Sequence, residues 1–238
     1  MRKTLAFFAF FAATASSSAC VMCDKAVRDR IFDSMFYPNL LAMLSAFIVI
    51  ALIVAGLIYV GNARHSRFRR LNGGHVYLTP VPLYAAALIL GIGLGGFADG
   101  IILHQILQWH EMLSNKLPPD NFIDKSVNMF WDGVFHAFTL IVVLVGVVVL
   151  WNVLTRRDTN KSGRLLAGGM LAGWGIFNIA EGVIDHHILE LHNVVEAAGN
   201  KDIANYTFLA VSFIFLFTGV LIARKAKPQI TDEGFSGH

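Results

Sequence analysis

Apolar positions in this 238-residue chain fall into long blocks, and polar ones gather between them. Five blocks, roughly 40–60, 81–109, 130–153, 165–189 and 203–223, are long and apolar enough to cross a bilayer. Each predicts a helix, because a spanning segment must satisfy its own backbone hydrogen bonds. The expected fold class is all-α: a polytopic membrane helix bundle with about five transmembrane helices. Ahead of them, Met1-Arg-Lys-Thr, the apolar run Leu5 to Phe11 and the small residues from Ala13 have the three regions of a secretory signal peptide. Cleavage after Ala15 fits. So does cleavage after Ala19, which would leave Cys20 first as in a lipoprotein, with Ser17 where an aliphatic residue is usual. An uncleaved first anchor is the third option. Between Asp24 and Phe36, charged residues alternate with Val27, Ile31 and Phe32 at helical spacing, as in an interfacial helix. The division is then residues 1–19 signal peptide, 20–39 periplasmic juxtamembrane segment, 40–225 transmembrane bundle and 226–238 cytoplasmic tail.

Composition strengthens the membrane reading: 55% of residues are hydrophobic, 15% are charged and mean hydropathy is +0.60. The net charge of +3 does not mark nucleic-acid binding, since the basic residues sit in short segments between apolar blocks without interleaved aromatics. They act as orientation signals. With the mature N-terminus outside, the inward side holds Arg64, Arg67, Arg69, Arg70, Arg156, Arg157, Lys161, Arg164, Arg224, Lys225 and Lys227. The outward side holds only Lys25, Arg28, Arg30, Lys116, Lys125 and Lys201, so the positive-inside rule places the C-terminus in the cytoplasm. A multi-pass protein of the bacterial inner membrane is expected, with the lipid bilayer as its first partner. Glycines at 91, 93, 95 and 96, and at 168, 169, 173 and 175, lie inside apolar blocks and serve close helix packing rather than phosphate binding.

The second and fourth blocks contain the same unit. Asp99-Gly-Ile-Ile-Leu-His104-Gln-Ile-Leu-Gln-Trp-His110 aligns without a gap to Glu181-Gly-Val-Ile-Asp185-His186-His187-Ile-Leu-Glu-Leu-His192, offset by 82 residues. Both blocks run outward, so this is a parallel internal repeat with a pseudo-two-fold axis along the membrane normal. On an α-helix, at about 100° per residue, Asp99 and His110 share a face while His104 points about 140° away from Asp99. Either the helix bends or ends near Trp109, or His104 faces a different neighbour. The third block adds Asp132-Gly-Val-Phe-His136, an acid and an imidazole on one face. Six of the nine histidines thus collect at the outer ends of three helices; His65 and His75 fall in an inward loop.

Ionisable groups at that depth are costly unless paired or functional. Asp, Glu and His together suit a transition metal such as copper, iron or zinc, and the absence of thiolates argues against an iron–sulfur cluster. The candidate ligands are Asp99, His104, His110, Asp132, His136, Glu181, Asp185, His186, His187 and His192. Haem held by imidazoles of facing helices ranks below a metal ion. A proton relay or a structural hydrogen-bond network is the remaining reading. Cys20-Val-Met-Cys23 lacks the histidine of a haem-attachment motif; it is a redox pair, a soft-metal port or a local disulfide. Trp109, Trp131 and Trp151 read as interface aromatics. The loop from Glu111 to Lys125 reads as an irregular lid with solvated acids.

With Gly-Phe-Ala-Asp99-Gly-Ile-Ile-Leu-His104-Gln-Ile-Leu-Gln-Trp-His110 and Asp132-Gly-Val-Phe-His136, the chain resembles the DUF2243 family of bacterial predicted membrane proteins over about 80–225. That resemblance implies a membrane protein and supplies no reaction. The Asp132–His136 spacing is also similar to the Asp-x-x-x-His part of a copper site in membrane methane and ammonia monooxygenases. The leading expectation is a membrane metalloprotein whose periplasmic site serves redox chemistry, oxidase or monooxygenase-like, or metal handling. The alternatives are a metal-dependent hydrolase of a lipid-like substrate, a copper chaperone or respiratory oxidase assembly factor, and a bis-histidine haem protein. A periplasmic or membrane redox or metal-delivery partner would accompany several of these.

Overall fold

The structure, a computed structural model, describes residues 23–71 and 77–229. The expected signal peptide and Cys20 lie outside these residues. Six α-helices follow in order: α1 (Lys25–Ile31), α2 (Phe36–Leu71), α3 (Val81–Asp99), α4 (Phe122–Thr155), α5 (Gly163–Glu181) and α6 (Lys201–Arg224). The last five are long and apolar enough to cross a membrane. Local sequence fixes their starts: the side chains of Asn121, Ser162 and Asn200 each accept a hydrogen bond from a first-turn N–H of α4, α5 and α6.

The helices depart from the hydropathy pattern at their ends. α2 continues to Leu71, so Arg64, His65, Arg67, Arg69 and Arg70 sit on a helical extension rather than in a loop. α1 is shorter than its pattern and turns Val27 and Ile31 into the core, in one cluster with Met112, Leu113, Trp131 and Leu191. Trp131 is 1% exposed and is a core residue, not an interface aromatic. In the expected lid, Glu111, Met112, Leu113 and Ser114 are buried, and Lys125 already belongs to α4.

Helices α3 and α5 form the centre. Ala, Gly and Leu line their contact, as the absence of a hydrophobic drive between helices in lipid requires small residues and close approach. A Cβ on Gly91 would lie 2.0 Å from the Met170 carbonyl oxygen, and one on Gly173 would lie 2.3 Å from that of Leu88. Both partners are related by the same 82-residue offset, so the duplication extends from the motif into the packing. Outside this pair, α4 packs on α3 and α6 on α5. The outer helices leave large apolar residues bare, among them Leu52 on α2, Leu144 and Val148 on α4, and Ile214 and Phe217 on α6. Such a continuous apolar surface is untenable in water and ordinary in a bilayer.

A buried histidine and carboxylate cluster

At the last turn of α3 and of α5 the backbone changes register. Gly100–Ile106 and Gly182–Ile188 are π-helical, with hydrogen bonds spanning five residues instead of four. That spacing brings i and i+5 together: His104 Nε2 lies 3.2 Å from Asp99 Oδ2, and His186 Nε2 lies 2.8 Å from Glu181 Oε1. The 140° separation expected on an α-helix is thereby removed. Each π segment is closed by matched hydrogen bonds, Leu107 N–H to Ile102 O and Leu189 N–H to Ile184 O. The chain then reverses through Gln108 (φ 48°) and Glu190 (φ 50°), again 82 apart and both left-handed. His110 and His192 therefore lie beyond the helices on strands of chain folded back over their ends. The two returning segments exchange backbone bonds, Asn115 N–H to Leu191 O and Glu196 N–H to Trp109 O.

Four imidazoles meet across the pseudo-two-fold axis. The rings of His110 and His192 stack with centroids 4.5 Å apart and planes 9° apart. On either side, His104 meets His110 at 4.3 Å and 73°, and His186 meets His192 at 4.7 Å and 71°. All four are buried, with Asp99, Asp132, Glu181 and Asp185 around them.

The hydrogen bonds set the tautomers in the first half of the repeat. His104 Nδ1–H donates to Asp132 Oδ1 at 2.9 Å, which also accepts from Met112 N–H. His110 Nδ1–H donates to the Val194 carbonyl at 2.8 Å. Either ring, when neutral, therefore carries its lone pair on Nε2; these two Nε2 atoms lie 3.0 Å apart, so that one protonated there donates to the other. Burial, and then the neighbouring His104, hold His110 down to about 3. Burial likewise holds His192 well below the ordinary imidazole value. Both rings are neutral at pH 7 and able to donate a lone pair. In the second half His186 is fixed from its other nitrogen, Nε2–H donating to Glu181 Oε1, while among the described residues both nitrogens of His192, Nδ1 of His186 and Oε2 of Glu181 are buried without a hydrogen-bond partner. Neither carboxylate oxygen of Asp99 accepts a hydrogen bond. Buried polar atoms in native proteins are otherwise almost always paired.

Of the ten sequence candidates, the structure brings two sets within 4.8 Å of one another: Asp99, His104 and His110, and His110, Glu181 and His192. His110 is common to both, and because its Nδ1–H is held by Val194, Nε2 is the atom free for either set. Asp132 faces His104 from behind, as an orienting acid, and His186 adjoins Glu181. The remaining three are not in these sets. His136 Nδ1–H turns back to the Asp132 carbonyl, with its ring against Gly100. His187 stacks on Tyr206. Asp185 is buried beside the cluster with Oδ1 unpartnered.

Sequence reasoning missed the groups that hold the returning segments. Asn128 on α4 accepts from Leu113 N–H, and Asn205 on α6 accepts from Val194 N–H. The available signal was an asparagine near the start of each of the third and fifth apolar blocks. One turn further on from each, α4 carries Asp132 and α6 carries Leu209, which explains why His186 lacks the partner that His104 has. Ser114 Oγ and Lys201 both donate to Glu196. Burial works against the Glu196 charge, but these donors and Asn193 hold its carboxyl below the usual range. Burial pushes the Glu111 carboxyl up, although Lys125 pairs with it. His110, Glu111, Ser114, Glu196 and both lysines line a polar cavity of about 330 Å³ above the cluster.

The fold and the cluster define a multi-pass membrane helix bundle with buried His, Asp and Glu groups able to hold a metal ion at one end. Residues 86–226 match the family described as predicted membrane protein, DUF2243, and the chain belongs to that family. No curated protein and no solved structure matches the chain.

Proposed function

We propose that the cluster is a transition-metal site on the periplasmic side of a bacterial inner-membrane protein, serving redox chemistry or metal handling. The observation that carries this reading is the convergence of His104 and His110 Nε2, 3.0 Å apart, with Asp99 Oδ2 3.2 Å from the first. Two neutral lone pairs and a carboxylate at that separation repel, and either a proton on one ring or a metal ion between them relieves the repulsion. Donor atoms around an ion with bonds of about 2.0–2.1 Å sit roughly 2.9–3.4 Å apart, so little movement is needed to bind one. Asp99, His104, His110, Glu181 and His192 are the proposed ligands, with His186 completing the second half. Asp132 and the Val194 carbonyl orient imidazoles from behind. Bound there, a redox-active metal would supply one-electron chemistry and a redox-inert one Lewis acidity. Contact among the four imidazole rings leaves no slot for a porphyrin plane, which favours an ion over haem.

The orientation rests on charge. All eleven basic residues named for the inward side lie at the helix ends opposite the cluster. The cavity above the cluster then faces the periplasm and is the route by which an ion or a small substrate reaches His110.

Mass spectrometry of metals in the detergent-purified chain tests the reading. A stoichiometric transition metal is expected; a chain that stays metal-free after gentle purification and after incubation with copper, iron and zinc overturns it. Asp132→Leu, which gives α4 the residue that α6 carries at the related position, is expected to weaken metal retention about 10–100-fold by freeing the His104 ring. Competition with a chelator of known affinity measures this. Undiminished retention would remove Asp132 from its orienting role.

A further inference from the structure

The far end of the bundle holds a second feature, independent of the metal reading. The buried residues of α2 are Met43, Ala46, Phe47, Ile50 and Val54, none of them beyond its midpoint by more than one residue. Beyond Val54 no residue of α2 is fully buried, and a groove of about 680 Å³ opens between α2 and the α3, α5 and α6 ends. Its walls are apolar, with Leu57 and Ile58 on one side and Leu88 and Val220 on the other. Its rim is cationic: Arg64 and Arg224 both line it. Among the described residues neither guanidinium has a carboxylate partner, and the single acid at that end, Asp158, is already engaged by Arg156. His65, on the same rim, has Nε2 buried without a hydrogen-bond partner.

A groove between spanning helices is filled from the bilayer. Apolar walls accept an acyl chain, and two guanidinium groups at the membrane boundary, without a carboxylate partner among the described residues, call for an anion with several acceptor oxygens, which a phosphodiester supplies. A neutral headgroup would leave both charges uncompensated. We infer that this groove binds one anionic phospholipid, with an acyl chain against Leu57, Ile58, Leu88 and Val220 and its phosphate between Arg64 and Arg224.

Native mass spectrometry of the full-length protein, delipidated in mild detergent and titrated with phosphatidylglycerol or phosphatidylcholine, tests this. One phosphatidylglycerol per chain is expected to be retained about thirtyfold more strongly than phosphatidylcholine, the difference that two basic side chains at a membrane surface confer. The double variant Arg64→Gln, Arg224→Gln should abolish that preference. Both positions are exposed, so the fold should survive. Arg67→Gln, on the same helix but outside the groove, should leave the preference intact. Equal retention of the two lipids overturns the inference. So does a preference that survives the double variant, or one that Arg67→Gln removes equally, which would reduce it to diffuse surface charge. A stoichiometric quinone in an organic extract of the untreated protein would give the groove to a different occupant and overturn it as well.

Discussion

His104→Ala is expected to reduce bound metal from stoichiometric to background and to lower the unfolding free energy in detergent by about 3–5 kcal/mol, the usual cost of leaving a buried charge without its partner. The size follows from the position of the ring. His104 lies between two carboxylates, Nδ1 on Asp132 and Nε2 near Asp99, and both acids are buried, at 1% and 7% exposure. Asp132 keeps the Met112 N–H when the ring is gone, but Asp99, whose oxygens have no hydrogen-bond donor among the described residues, loses the ring that lies 3.2 Å away. His186→Ala should cost less stability, because only Glu181 depends on that ring and His192 Nε2 lies within 3.9 Å of the same Glu181 oxygen. Metal analysis and thermal unfolding of the two variants beside the unaltered protein check both parts. Full metal content in His104→Ala would exclude His104 as a ligand. Unaltered stability would mean that Asp99 and Asp132 carry no charge that needs the ring. A large stability loss in a protein that never holds metal would identify a structural ion network instead.

The spanning helices were legible because a bilayer imposes one length and one composition on any segment that crosses it. The duplication was legible too, since Asp99 to His110 and Glu181 to His192 align without a gap. What that alignment could not deliver was the geometry between its members. Read on an α-helix, acid and first histidine diverge; in the structure the backbone adopts the π register over the seven residues after each acid, and five-residue spacing becomes adjacency. The acid-Gly-x-x-x-His spacing, occurring twice, matches the π period and was the overlooked cue. Nor could helical periodicity place His110 and His192, because neither is on a helix. The left-handed turns at Gln108 and Glu190 position them, and neither residue type demands that conformation. Spacing put Asp132 and His136 on one helical face, but their side chains serve different neighbours: Asp132 orients His104, while the His136 ring packs on Gly100. The repeat is thus symmetric in its backbone and unequal in its support. His104 and His110 are held at Nδ1 and His186 at Nε2, whereas among the described residues both His192 nitrogens are unpartnered.

Symmetry in the packing makes the second large effect a paired one. Gly91→Ala and Gly173→Ala are each expected to destabilise the bundle by about 3 kcal/mol or more, at or beyond the upper end for overpacking, and to do so by similar amounts. The added Cβ of the first would stand 2.0 Å from the Met170 carbonyl oxygen, and that of the second 2.3 Å from the Leu88 carbonyl oxygen. Both obstacles are backbone atoms of a rigid helix, so no side chain can rotate away. The helices must separate by roughly 1 Å, which a close-packed interior does not absorb locally. Gly91 is eight residues from Asp99, about 12 Å along the axis, and Gly173 is eight from Glu181. Separation at the crossing is therefore carried to the cluster, where it pulls the stacked His110 and His192 rings apart. Metal retention should fall in both variants although neither touches a ligand. Gly56→Ala on α2 is the control: a Cβ there meets nothing within 4 Å, and a helical glycine replaced by alanine should leave stability unchanged or raise it by about 0.5–1 kcal/mol. Thermal unfolding and metal content of the three variants decide the matter. If Gly91→Ala is as stable as the Gly56→Ala control, the α3–α5 crossing is looser than described. If only one of the paired variants loses metal, the two halves are coupled to the cluster through different contacts, and the shared 82-residue offset does not govern the site.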